Sequence, residues 1–522
     1  MNLLPTYLLL ISAASAYIVY AVIQFLHKVI WQPLQTQRFL NSQGLKGPPY
    51  TFLLGNAKQL IQLREEALAK SMPSLSHDIA HRVISHVSLW SKQYGKNFVF
   101  WIGPRAQMVL GDPDLIKEVL SNKARIFSKS DLYFPYLQKI FGQGLAISEG
   151  EKWIKVRKIA DFALHGDNLK SMVPDMIASA EMMLERWMMK EGKEIEVHEE
   201  FRILSSEVIS RTAFGSSFKE GQHIFGMLNE LMILSDRNTF KMSLPIIRWC
   251  CSDLFKTKDE KDAIRLVQRI ADSIMEMVKN RQEKVKNREV DGFGKDYLGL
   301  LLKAYHDEGH SMKISADQLV DECKTLYVAG QETTNTLLSW MILLLSIHQE
   351  WQEEARREVL RVFGPDKTPD SDGITRLKLM GMIINETLRL YSPVFAGFMR
   401  VVDKETRLGK FDLPVGVQLH IPIMAIHHDP DIWGEDVHLF KPDRFSEGVA
   451  KATNNNPSAF MPFGMGPHTC AGFNFATNEA KITIAMILQR FTFSLSPGYV
   501  HSPFPVLAVR PEKGVQVIIN AL

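Results

Sequence analysis

The sequence predicts a mainly α-helical globular domain with small β-sheets, carried behind an N-terminal transmembrane helix. Three observations support this. Residues Leu3 to Leu26 contain no charged side chain. From about Asp114 to Arg361 the apolar residues recur at helical rather than alternating spacing. Strand-like runs are short and scattered, near Phe98–Trp101, Gln107–Leu110, Arg400–Val402 and Val417–Ile421.

The uncharged run reaches about 36 Å as a helix at roughly 1.5 Å per residue, enough to cross a bilayer core. Ala14-Ser15-Ala16 has the look of a signal-peptide cleavage site. No basic stretch precedes it, however, and the apolar run continues through Ile18, Val19, Val22, Ile23 and Phe25. A retained anchor over residues 1–27 is therefore expected. Lys28, Arg38 and Lys46 follow the span and no Lys or Arg precedes it, which places the bulk of the chain in the cytoplasm. Residues 28–50 read as a basic, proline-rich linker that ends in Gly47-Pro48-Pro49, a stiff helix-breaking connector.

Residues 51–522 read as one domain, because no internal repeat or further flexible linker appears. Val417–Ile421 alternates as a half-buried strand should. Lys284–Asp296 reads as a solvated loop and Gly364–Gly373 as a turn-rich connector. A hydrophobic content of 46% supplies a large core. Lys and Arg number 61 against 58 Asp and Glu, a formal charge of +3 with no long basic run, which argues against a nucleic-acid partner.

The four cysteines, Cys250, Cys251, Cys323 and Cys470, form no CxxC pair. That pattern in a long chain fits neither a zinc cluster nor a disulfide framework, and it suits a reducing, cytosol-facing compartment. His427-His428-Asp429 has no third ligand at a sensible spacing and reads as structural.

Cys470 sits in Phe463-Gly464-Met465-Gly466-Pro467-His468-Thr469-Cys470-Ala471-Gly472. The glycines and proline favour a tight irregular turn, and the helix-forming stretch Phe473–Phe491 follows. A cysteine at a helix N-terminus has its thiolate stabilised by free N–H groups and the helix dipole. Taken alone, a buried inert thiol explains the position equally well.

The spacing Phe-x-x-Gly-x-x-x-Cys-x-Gly resembles the haem-binding loop of the cytochrome P-450 superfamily. The resemblance implies a single haem-binding domain of that fold, with Cys470 as axial ligand to haem b. The family has Arg where this chain has His468, so contact with a haem propionate there depends on the imidazole's charge. A weaker grip on haem is the expectation.

Further motifs agree. Glu386-Thr387-Leu388-Arg389 spaces a carboxylate and a guanidinium as neighbours on one helix face, ordinarily the mark of a surface ion pair. Pro442-Asp443-Arg444-Phe445 follows it, and the resemblance implies a structural brace of Glu386, Arg389 and Arg444. Ala329-Gly330-Gln331-Glu332-Thr333-Thr334 lies in a long helix whose start is a capping box at Ser315-Ala316-Asp317-Gln318. A mid-helix glycine costs about 1 kcal/mol against Ala, so Gly330 asks for a reason. Either this is a kinked core helix whose Thr hydroxyls bond back to the preceding turn, or, as the resemblance implies, Glu332 and Thr333 are catalytic and organise water and proton delivery.

The resemblance further implies that Trp153, Arg157, Arg400 and His468 bind the haem propionates. Arg offers a bidentate fork to a carboxylate. Lys152, Lys155 and Lys158 then become candidates for docking an acidic reductase, although a solvated face explains them otherwise.

Glu322-Cys323-Lys324 and His348-Gln349-Glu350-Trp351-Gln352 look like the plant 72 clan. That implies an endoplasmic-reticulum, single-pass monooxygenase facing the cytosol, drawing electrons from NADPH through cytochrome P-450 reductase. It uses O2 on terpenoids, plant-hormone-like molecules or related lipophiles. Substrate contacts implied by position are Phe134–Phe141, Val328 and Ala329, Val394–Phe398 and His501–Phe504. A non-oxygenase relative on the same scaffold, or a haem-binding scaffold without catalysis, are the competing readings.

Overall fold

The computed structural model describes residues 4–72, 75–122, 125–130, 134–216, 218–242, 257–309, 312–396 and 399–522. Cys250, Cys251, Gly397 and Phe398, all singled out above, lie outside the described residues, as do the side chains of Phe134, Pro135 and Tyr136.

The N-terminal apolar run is a helix, Leu4–Leu26. Helical backbone continues beyond it. A widened π turn, His27–Trp31, passes it into a second helix, Gln32–Ser42. The expected linker is thus helical in its first part. Nothing before Gly44, which has φ +87°, breaks the run. The Val29 carbonyl on the π turn accepts a hydrogen bond from the Tyr50 hydroxyl. Over Tyr7–Ser42 the most apolar window has mean hydropathy 2.0 and none of it is buried, so length and composition suffice to cross a membrane. Gly47 is no free hinge, because an added Cβ would lie 1.7 Å from the Val99 carbonyl. The connector lies flat on a strand, and only glycine permits that approach.

That strand belongs to a five-stranded sheet, in the order Phe98–Ile102, Arg105–Val109, Gln418–His420, Arg400–Val402 and Phe127–Lys129. All four strand-like runs of the sequence fall in it. Gln418–His420 differs from the expectation, since Gln418 and His420 are buried along with Leu419. The strand is central, paired parallel to one neighbour and antiparallel to the other, and all three of its residues are buried. The polar side chains find internal partners instead: Gln418 bonds Ser130, and His420 stacks on His86. A smaller sheet joins Glu194–Glu196, Gln516–Ala521 and Phe491–Leu495.

The helix Ala316–Ile347 forms the middle of the domain. Ser315 accepts from the Gln318 N–H at 3.1 Å and its own N–H donates to the Gln318 side chain at 2.8 Å, the capping box read from sequence. From Leu319 to Ser346 most of this helix is buried. Its C-terminal end is clamped by the Gln349 and Gln352 amides, which donate to the Phe493 carbonyl at 3.0 and 2.9 Å.

Gly330 has a packing reason. A Cβ there would meet Ile209 Cδ1 at 2.2 Å and Cγ1 at 2.7 Å, so the glycine lets the helix Val197–Phe214 approach closely.

Candidate functional site

Cys470 lies between a 3₁₀ turn, Gly466–His468, and the helix Phe473–Arg490. Gly466 takes φ +75°, and a Cβ on it would lie 2.4 Å from the Leu120 carbonyl, so this turn needs glycine twice over. The loop is closed by the Cys470 N–H donating to the Phe463 carbonyl at 2.8 Å. Cys470 is accessible to solvent, yet burial pushes its thiol up from the ordinary value. These observations agree if the sulfur lines a recess, open to small molecules but surrounded by protein. The Gly472 N–H and Arg157 pull the thiol back toward ionisation.

The helix Gly150–Leu164 sets Trp153 and Arg157 against this loop. The Trp153 ring lies 4.2 Å, centroid to centroid, from His468. Arg157 donates to the Thr469 carbonyl and holds Asp161 at 2.9 Å. Arg400 is buried and donates to the Met399 carbonyl at 3.1 Å. Directly opposite it on the neighbouring strand stands Lys129. The Lys129 ammonium donates to the carbonyls of Leu145, Ala146 and Ser148 at 3.3, 3.0 and 2.9 Å.

Two like charges facing each other across a strand pair oppose folding. Among the described residues, neither is ion-paired with a carboxylate. Burial, then the Arg400 charge, lowers Lys129 to about 7. Burial, then Lys129, Arg400 and Arg157, lowers His468 to about 3. The His468 Nδ1 is buried without a hydrogen-bond partner.

Excess buried positive charge, an orphaned imidazole nitrogen and an accessible thiol on one loop fit a dianionic, metal-bearing group such as haem. Trp153, Arg157, Arg400 and His468, the expected cofactor-binding residues, are brought into one neighbourhood. Lys129 was missed: a single lysine in Phe127-Ser128-Lys129 carries no periodic or motif signal, and only strand register sets it opposite Arg400.

Glu386 and Arg389 are not a surface pair. Both are fully buried, joined by two hydrogen bonds of 2.8 and 2.7 Å. Arg389 also donates to the His427 and Val437 carbonyls at 3.1 and 2.7 Å. Arg444 reaches Glu386 at 3.4 Å and Asp436 at 2.7 Å, which completes the expected brace.

On the long helix, Glu332 and Thr333 turn to different environments. Glu332 is buried, and burial raises its carboxyl while Arg510 and Arg202 pull it down. It borders a polar cavity of about 360 Å³ also lined by His198, Arg202, Phe504, Arg510 and Glu512. Thr333 is half-exposed, and its hydroxyl donates back to the Ala329 carbonyl at 2.7 Å. Ala329, Gly330 and Thr333 form an accessible stripe on a mostly buried helix. Of the other expected contacts, Val328 is buried, and His501 packs between Tyr391 and Tyr499.

A family model described as Cytochrome P-450 matches residues 70–519. The chain is 50% identical to Cytochrome P-450 CYP749A22 of Panax ginseng, over 98% of this chain and 97% of that one. It is 38% identical to Cytochrome P-450 734A1 of Arabidopsis thaliana, over 94% and 93% of the two chains. It is 39% identical to the 7-deoxyloganic acid hydroxylase of Catharanthus roseus, over 96% of each.

Proposed function

The chain belongs to the cytochrome P-450 family, and from that premise we propose that it is a membrane-anchored monooxygenase acting on a lipophilic small molecule of terpenoid, plant-hormone-like or related specialised type. The cluster of Arg157, Arg400, Lys129 and His468 beside the accessible Cys470 carries this reading. When bound, haem ligated by a thiolate supplies the oxygen-activating chemistry, since thiolate donation favours O–O cleavage.

The chain's own residues do the rest. Cys470 would hold the haem through its sulfur, Arg157 and Arg400 would meet its carboxylates, and Trp153 covers His468. Thr333 presents a hydroxyl on the accessible stripe, where it holds water. Glu332, which lines the polar cavity next to Thr333 in the helix, passes protons inward from solvent. The N-terminal helix anchors the domain to the endoplasmic-reticulum membrane on its cytosolic side. Lys152, Lys155 and Lys158 steer an acidic NADPH-dependent cytochrome P-450 reductase.

The test is product formation from lipophile candidates that shift the haem spectrum. Product carrying one atom from isotope-labelled O2, formed only with both NADPH and reductase, is expected. Turnover without them would make the chain an isomerase or dehydratase instead.

A further inference from the structure

The sequence shows His427-His428-Asp429 without a third metal ligand. The fold brings other partners to His428 from both sides. Asp78, just before the short helix Ala80–Val83, and His438, just beyond Val437, each offer a ligand atom with His428, and the three atoms lie within 4.8 Å of one another. We propose that Asp78, His428 and His438 form a binding site for a borderline divalent metal ion such as Zn²⁺, separate from the haem site.

The argument rests on tautomer and partner geometry. His428 Nε2 lies 2.9 Å from the Leu390 carbonyl, which can only accept, so Nε2 carries the proton. The lone pair is then on Nδ1. That atom is buried and has no hydrogen-bond partner. A histidine fixed by a backbone carbonyl through one nitrogen, with the other bare, is the arrangement metal sites use.

His438 also has a buried Nδ1 without a partner, and its Nε2 lies 4.0 Å from Asp78 Oδ1, too far for a hydrogen bond. Two unpartnered imidazole nitrogens in adjacent rings, with centroids 5.4 Å apart, are costly unless something binds them.

Asp78 supplies the negative charge. Its side chain is 51% exposed and that of His438 38%, so both can swing the short distance that closes ligands onto a metal at about 2.0–2.2 Å. Arg389 is the nearby positive charge, and Glu386 neutralises it. Two imidazoles and one carboxylate suit Zn²⁺ and its neighbours rather than Ca²⁺ or Mg²⁺, which ask for oxygen. Water completes the coordination at the exposed side. Such a site would tie the segment before Ala80 to the chain around the Glu386–Arg389 brace.

The experiment uses full-length, haem-loaded protein, stripped with chelator and titrated with ZnCl2 by calorimetry. One saturable equivalent is expected. His438→Ala should weaken it by at least about tenfold, while the reduced carbon monoxide spectrum stays unchanged. Should His438→Ala not accumulate, Asp78→Asn, altered at a half-exposed position, asks the same question. Zinc-edge X-ray absorption of the one-zinc protein should show only nitrogen and oxygen neighbours with imidazole scattering. Equal zinc affinity in wild type and variants, no saturable binding, or sulfur in the first coordination sphere would overturn the proposal.

Discussion

Gly330→Ala tests the packing account of the oxygen-motif helix. In a free helix this change is favourable by about 1 kcal/mol. Here the new Cβ meets Ile209 Cδ1 at 2.2 Å and Cγ1 at 2.7 Å. Turning the Ile209 ethyl group moves Cδ1 but leaves Cγ1 in place, and χ1 of a β-branched residue in a helix is nearly fixed. Overpacking of this kind costs about 1–3 kcal/mol, so Gly330→Ala alone should be neutral to destabilising by about 2 kcal/mol. Ile209→Ala removes both clashing atoms, at a cost of its own of about 2–5 kcal/mol. In that background Gly330→Ala should instead stabilise, by about 1 kcal/mol. The assay is the thermal midpoint of haem absorbance for the four proteins of the cycle. The predicted outcome is a change of sign. If Gly330→Ala stabilised both backgrounds equally, close packing against Ile209 would not be the reason for the glycine.

Glu386→Gln leaves buried Arg389 and Arg444 short of their shared carboxylate and should cost about 3–5 kcal/mol, seen as a large drop in melting temperature. Arg400→Met should act with opposite signs on two readouts. Haem-free protein melts higher because the charge facing Lys129 is gone, while haem leaves roughly ten- to a hundredfold faster for want of a charge-assisted bond of about 1.5–3 kcal/mol. Glu322, buried against the Tyr297 hydroxyl at 3.0 Å, is raised by burial to about 7. Between 4.5 and about 7 the folded chain keeps a proton that the unfolded chain releases, so this stabilisation is present below 4.5 and lost as pH rises through 7. Glu322→Gln should remove that dependence, and melting curves on either side of the window would show it.

The sequence carried those features that lie close together along the chain. The capping box at Ser315, the strand runs, the glycine turn before Cys470 and the Glu386–Arg389 spacing are all local, and each stands in the fold. What stayed hidden depends on pairing between distant segments. The burial of Gln418 and His420 comes from packing on both faces of their strand, which alternation cannot show. Lys129 matters only because register sets it opposite Arg400. Asp78 meets His428 and His438 across most of the chain. That the first part of the linker is helical was not legible, because Pro33 looks like a break. Pro33 follows the π turn in a continuous helical run, and the Val29 carbonyl four residues back accepts from the Tyr50 hydroxyl.

The central claim is that Cys470 binds the iron, and the spectrum of the reduced protein under carbon monoxide tests it most directly. A strongly red-shifted Soret band is predicted, absent from Cys470→Ser. A band at the imidazole-ligated position in the wild-type protein would contradict it.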